Sequence, residues 1–297
     1  MENKTTIMGV LNVTPDSFYD GGLYFDHEKA IEHGLALIAD GADIVDIGGE
    51  STRPGAVPVP VEEELRRVIP VVRELAPKVR VSIDTFKEEV AREAVKAGAA
   101  VLNDVGGNLA AVAAELGTAL VVMHRQGEYS RMQDKPYYKD VADEVYSSIV
   151  SMGEAAVAQG VTEVYIDPGI GFGKSAEHNV SLLGHLPIFT QNSNNNFPLL
   201  VGVSRKRFLG HMLAQEKRPD AVGKNDLIAR LYNLQENAIL ELPKLDFTGD
   251  SDYPPMERKE ASLAAAAFMV LAGVKILRVH DVSETKYILD LMGELQW

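Results

Sequence analysis

Short apolar runs in this chain end, one after another, in side chains able to bind or react. In order these are Asn12, the turn Glu50-Ser51-Thr52-Arg53, Asp84, Asn103-Asp104, His124, Asp167, Ser204-Arg205-Lys206 and Arg278-Val279-His280-Asp281. Asp84, Asn103 and Asp167 offer carboxylate and amide edges, which suit a planar heterocycle. An acceptor-only carboxylate takes a ring N–H and an exocyclic amine together. Arg53, Arg278 and His280 suit phosphate oxygens, through forked or charge-assisted hydrogen bonds. Asn12 offers an oxygen to Mg2+, an ion that binds phosphates with few protein ligands. Gly9, Gly21 and Gly22, with Pro15, make the first loop permissive enough to close as a lid.

These groups act together only if a frame brings them together. Candidate strands are Thr6–Asn12, Ile44–Gly48, 79–84, 100–104, 119–124, Val164–Asp167, 199–204 and 275–280. They are short and rich in Val and Ile, as buried parallel strands are. Helical patterns lie at 62–75, where Leu65, Val68, Ile69 and Val72 share a face before Pro77, and at 87–97 before Gly98. Others lie at Val141–Ala158 before Gly160, at 261–272 before Gly273, and at 284–292. Alternating strand and helix predicts an α/β fold, a (β/α)8 TIM barrel, in which the strand ends of one face surround a single pocket. A doubly wound open sheet is the alternative. Its dinucleotide-binding version needs Gly-x-Gly-x-x-Gly in the first turn, which is missing.

The regularity breaks once, after the seventh strand. Residues 215–258 read as an insertion, with Leu227, Leu231, Leu234 and Ala238 on one face of an added amphipathic helix and a turn-rich loop behind it. The 297 residues are expected to form one barrel domain, because no Gly/Ser- or Pro-rich linker divides them. The net charge of -14, from 29 basic and 43 acidic residues, repels nucleic acid and anionic membranes. The acidic surplus reads as solvated helix faces. The chain has no cysteine, which excludes disulfides and thiolate metal sites. Neither a signal peptide nor an apolar run of ~18 residues is visible, so a cytoplasmic protein is expected.

Seven segments together resemble one known family. IMGVLNVTPDSFYDGG (7–22), GADIVDIGGESTRPG (41–55), VSIDTF (81–86), LNDVG (102–106), YIDPGIGFG (165–173), VSRK (203–206) and ILRVHDV (276–282) are similar to the motifs of the dihydropteroate synthases. The resemblance runs in order along nearly the whole chain, apart from the insertion. It implies a TIM-barrel transferase of folate biosynthesis that joins dihydropterin-methyl diphosphate to 4-aminobenzoate, releasing diphosphate and 7,8-dihydropteroate. Sulfonamides compete for the aminobenzoate pocket in that family.

Carried onto this chain, the resemblance implies that Asp84, Asn103, Asp167 and Lys206 bind the pterin, with Met123, Phe172 and Gly202 lining its ring. Asn12, Arg53, Arg278 and His280 would hold the diphosphate, and Asn12 also Mg2+. Thr52, Pro54, Phe18 and Ser204 would shape the aminobenzoate pocket. Lys206, Arg53, Arg278 and His280 would carry the catalysis. The chain departs from the family at Arg207, where serine is frequent. The expectation here is that Arg207, or the helix N-terminus it opens, meets the aminobenzoate carboxylate. Family members are commonly homodimers, and the insertion is a candidate for contact with the partner subunit.

Taken singly, these residues have plainer readings: Asp84 and Asp167 as helix caps, Asn103 as a rim hydrogen bond, His280 as a structural histidine. Two other functions share parts of the pattern. A pterin-binding methyltransferase barrel would keep the aspartates and asparagine but give Arg53, Lys206, Arg278 and His280 no work. A catalytically silent paralogue would be expected to lose parts of the first or second loop, and both are intact.

Overall fold

The computed structural model describes residues 5–14, 27–51, 58–127, 132, 134–191, 197–210 and 255–294. Eight parallel strands run in the order β6-β5-β4-β3-β2-β1-β8-β7. They are β1 Thr6–Asn12, β2 Ile44–Gly48, β3 Arg80–Asp84, β4 Val101–Asp104, β5 Ala119–Met123, β6 Val164–Asp167, β7 Leu200–Val201 and β8 Ile276–Val279. The ring closes where Ile166 bridges Leu199, with the Ile166 N–H donating to Pro198 O at 3.1 Å. The expected α/β barrel is therefore present, nearly closed, with one thin seam.

Helices pack around it: α1 His27–Ala39, α2 Val61–Leu75, α3 Glu88–Lys96, α4 Ala110–Leu116, α5 Val141–Ala158, α6 Ala176–Gly184, α7 Leu186–Gln191, α8 Lys259–Leu271 and α9 Val282–Glu294. A 3-10 turn, Pro255–Arg258, leads into α8. Helices α1, α4, α6 and α7 occupy connections where the sequence shows no clear helical period. In α1 a glycine interrupts the pattern for a packing reason, since a Cβ on Gly34 would lie 2.4 Å from Leu75 Cδ1 of α2. No described helix is long and apolar enough to cross a membrane.

Period-two alternation sorts each strand's side chains to one of two cores. Met8, Ile44, Val101, Val121, Leu200 and Ile276 fill the barrel interior with Tyr165. Ile7, Val45, Ile83, Leu102, Val122 and Leu277 belong to the larger core shared with the helices. Every strand thus has a known inward parity, and that parity decides which strand-end groups meet.

The seventh strand is much shorter than the expected 199–204. Pro198 brings no N–H to the ladder, and the chain turns away at Arg205, whose φ of 59° is left-handed. That turn is held by the Arg205 N–H donating to Ser262 Oγ at 2.9 Å. Phe18, Thr52, Arg53 and Pro54 lie outside the described residues, as do Pro15, Gly21 and Gly22. So does the expected insertion 215–258, except for the 3-10 turn at its end.

Candidate active site

The strand register lines up the inward groups at one mouth. Asn12 is opposite Gly48, Gly48 opposite Asp84, and Asp84 opposite Asn103. Met123 pairs with Asp167 further round. Arg278, paired with Met8, shares the parity of interior Ile276. Gly48 contributes space: a Cβ there would stand 3.6 Å from Asp84 Cβ and 3.9 Å from Asn12 Oδ1. Gly202 likewise lets Arg278 pass, since its Cβ would lie 3.3 Å from Arg278 Cβ. Asp84, Asn103 and Asp167 are all buried.

Arg278 is the hub. Its Nε donates to Asp46 Oδ2 at 2.7 Å and its Nη2 to Asp84 Oδ2 at 2.8 Å. Burial works against the guanidinium's charge, but Asp46 and Asp84 more than offset it and raise its pKa. Asp84 is pushed up to about 7, chiefly by burial, with Arg278 opposing and Asp46, Glu64 and Asp104 adding to the rise. Its Oδ1 has no hydrogen-bond partner among the described residues. A buried acceptor without a donor carries a desolvation cost that a ligand's N–H groups would offset.

The opposite wall carries the second cation. Lys206 Nζ donates to Ile170 O and lies 4.9 Å from the centre of the Phe172 ring. Burial lowers its pKa to about 8 against the attraction of Asp167. Asp167 is raised by burial, with Lys206 and the Gly169 N–H opposing. That N–H donates to Asp167 Oδ1 at 2.7 Å. An aromatic face, a cation and a carboxylate therefore meet along one turn, which suits a flat heterocycle with both donors and acceptors.

The turn needs its glycines. Gly169 has φ 64°, and a Cβ there would lie 1.9 Å from His124 O. Gly173, at φ 62°, would bring a Cβ within 2.5 Å of Gln126 O. Gly169→Ala is expected to destabilise the fold by at least about 2 kcal/mol, because backbone strain and a backbone clash add. Urea unfolding measures this, and an unchanged midpoint would refute the geometry.

A family model for pterin binding enzymes matches residues 8–280. The dihydropteroate synthase of Mycobacterium leprae is 40% identical over 296 residues, covering 97% of this chain and 92% of that protein. Among solved structures, Xanthomonas albilineans dihydropteroate synthase with 4-aminobenzoic acid is similar at 39% identity and a TM-score of 0.80, over 99% of this chain and 93% of that one. The same enzyme in complex with 7,8-dihydropteroate matches at 36% identity and a TM-score of 0.77, over 100% of this chain and 95% of that one. The chain belongs to the dihydropteroate synthases, a family of pterin-binding transferases.

Not every strand-end group expected at the dihydropteroate synthase pocket turns toward it. Asp104 has the outward parity of β4 and caps its own turn, accepting from the N–H groups of Gly106, Gly107 and Leu109 at 2.9, 2.7 and 2.7 Å. Glu50 accepts from Lys87 Nζ at 2.5 Å. Asp281 is held by Arg205 at 2.5 and 3.2 Å. His124 is buried beside Lys174, whose Nζ lies 2.9 Å from its Nδ1. Burial, then the lysine's charge, lowers the His124 pKa to about 3, so it stays neutral. These four serve the scaffold. Ser204 and His280 are neighbours, with Ser204 Oγ 3.1 Å from His280 Nδ1. Arg207 is exposed, and its charge, after burial, lowers the pKa of Arg258.

Two groups escaped the sequence reading. Asp46 is fully buried in mid-strand, and Lys174 is 2% exposed behind the glycine turn. Lys174 Nζ donates to Gly169 O and Phe172 O, both at 3.0 Å, so it braces that turn from behind. A charge inside the five-residue run IVDIG was a readable signal for Asp46. For Lys174 the only signal was its place immediately after the glycines.

Proposed function

We propose that this chain condenses 7,8-dihydropterin-6-ylmethyl diphosphate with 4-aminobenzoate, yielding 7,8-dihydropteroate and diphosphate. The observation that carries the reading is the convergence of Asp84, Asn103, Asp167, Lys206 and Arg278 on one barrel mouth, with one buried Asp84 oxygen that has no donor among the described residues. The related complexes with 4-aminobenzoic acid and 7,8-dihydropteroate support it.

In this reading Asp84, Asn103 and Asp167 take the polar edge of the pterin, while Lys206, Met123, Phe172 and Gly202 position its ring. Breaking the carbon–oxygen bond puts charge on the leaving diphosphate, and Arg53, Arg278 and His280 meet it electrostatically. The pterin ring delocalises the positive charge left on its methylene. The arylamine lone pair then attacks, so the substitution is dissociative and needs neither a strong base nor a covalent enzyme intermediate. Thr52, Pro54, Phe18, Ser204 and Arg207 form the aminobenzoate side.

Mg2+ fits the mouth by donor chemistry. Asn12 brings a hard oxygen, and Gly48 leaves room beside it. Mg2+ takes few protein ligands and completes its shell from phosphate and water. Asn12 would hold it, and the bound ion would neutralise charge on the diphosphate. The protein is expected to work in the cytoplasm as a homodimer, as its family implies.

Purified protein mixed with the pterin diphosphate, Mg2+ and labelled 4-aminobenzoate tests the reading directly. Labelled dihydropteroate is the expected product. Pterin binding without turnover would instead identify a silent paralogue.

The pH profile gives a second check. Asp84 must be ionised to accept two N–H groups, and Lys206 must be protonated to donate. Hence kcat/KM for the pterin substrate should rise as pH climbs through about 7 and fall again above about 8, each limb approaching tenfold per unit. A flat profile from pH 6 to 9, one pH unit beyond each value, would remove both assigned roles.

A further inference from the structure

Asp46 has no part in the reaction as described above, yet it occupies the barrel's centre. Its side chain is fully buried, one inward step below Gly48 on β2 and level with Ser82 of β3. A single oxygen, Oδ2, accepts from both Arg278 Nε at 2.7 Å and Asn103 Nδ2 at 3.0 Å. The other oxygen has no partner among the described residues. A buried carboxylate left half satisfied is costly, and an apolar residue of similar size would pack the interior without that cost. The two donors it holds come from β4 and β8, on either side of the mouth.

We propose that Asp46 is a positioning residue that ties Asn103 to Arg278, and so couples the pterin half of the pocket to the diphosphate half. The inference rests on the function proposed above. Two constraints follow from the one oxygen. A carboxylate only accepts, so the Asn103 amide must turn its Nδ2 downward and present Oδ1 to the pocket, where it takes a ligand N–H. With Nε on Asp46 and Nη2 on Asp84, the guanidinium plane of Arg278 is fixed, and Nη1 is left to meet an anion. In Asp46→Asn the new amide can donate as well as accept. Asn103 is then free to flip onto the new N–H, and Arg278 keeps its ion pair with Asp84 but meets only a neutral acceptor at position 46.

The test is a double-mutant cycle on the whole enzyme. Asp46→Asn should raise KM for the pterin diphosphate about tenfold or more while KM for 4-aminobenzoate stays within about twofold. Calorimetry should show inorganic diphosphate binding weakened in parallel. Asn103→Ala, costly in the native background, should cost less than about threefold in the Asp46→Asn background, because the amide it removes is no longer held. An additive cycle, or an equal rise in both KM values, overturns the proposal. If Asp46→Asn does not fold, the cycle of Asn103→Ala with Arg278→Lys reads the same link, since those side chains share no hydrogen bond and meet on Asp46. A native enzyme that binds pterin and inorganic diphosphate but makes no product fails the proposed reaction alone, and the cycle run on the two affinities still decides the role of Asp46.

Discussion

Arg278→Met should cost the fold about 3–5 kcal/mol and lower Tm by roughly 10 °C, because it strands two buried carboxylates at once. Asp46 and Asp84 both give an oxygen to this one guanidinium. Their attraction raises the arginine's pKa despite its burial, which means the folded site favours the cation. Removing it should also push Asp84 further up from about 7, toward the protonated form that cannot accept two ligand N–H groups. In the proposed reaction the variant therefore loses the diphosphate contact and the pterin contact together. A fall in kcat/KM of at least about 10^3 is expected, beyond what one lost donor usually costs. Thermal unfolding and steady-state kinetics check the two halves separately. Native Tm with a lesser kinetic loss would mean that Arg278 does not hold the aspartates.

Lys206→Met should behave in the opposite way: nearly native stability with a kcat/KM lower by about 10^2–10^3. Burial has already depressed this lysine's pKa from 10.5 to about 8, so the folded site disfavours its charge. Methionine removes that cost while Asp167 loses an attractive neighbour, and the two changes offset to within about 1 kcal/mol. Asp167 keeps the Gly169 N–H at 2.7 Å. The linkage has a definite sign. Between about pH 8 and 10.5 the unfolded chain binds the proton that the folded site releases, so this group makes native stability rise with pH across that window. The rise should be missing in Lys206→Met. Denaturant titrations across the window measure it, and an unaltered slope would show that Lys206 is not the buried group described.

The different fates of these two cations show why one site looked uniform in the sequence. Both follow short apolar runs, and both were expected at the pocket. Only the folded protein distinguishes an arginine paired with two buried aspartates from a lysine whose charge burial disfavours. Asp104, His124, Arg205 and Asp281 taught the converse. They too stand at strand ends, but an outward parity or a neighbouring partner turns them into braces for turns. The expected strand 199–204 shortens to Leu200–Val201 for a related reason, because the pattern of apolar residues does not register where a left-handed Arg205 bends the chain away.

By itself the sequence determined the alternation of strand and helix and the kinds of chemical group that stand at the strand ends. These are local properties, set by a period of two and by residue type. The tertiary structure decided which of those groups touch. Arg278 meets Asp46 and Asp84 across 232 and 194 residues of chain, and barrel closure sets Asp46 against both Arg278 and Asn103. Pairing of this kind depends on the register between strands and on burial, which raises or lowers each group's charge preference, and neither quantity exists before the ring is closed.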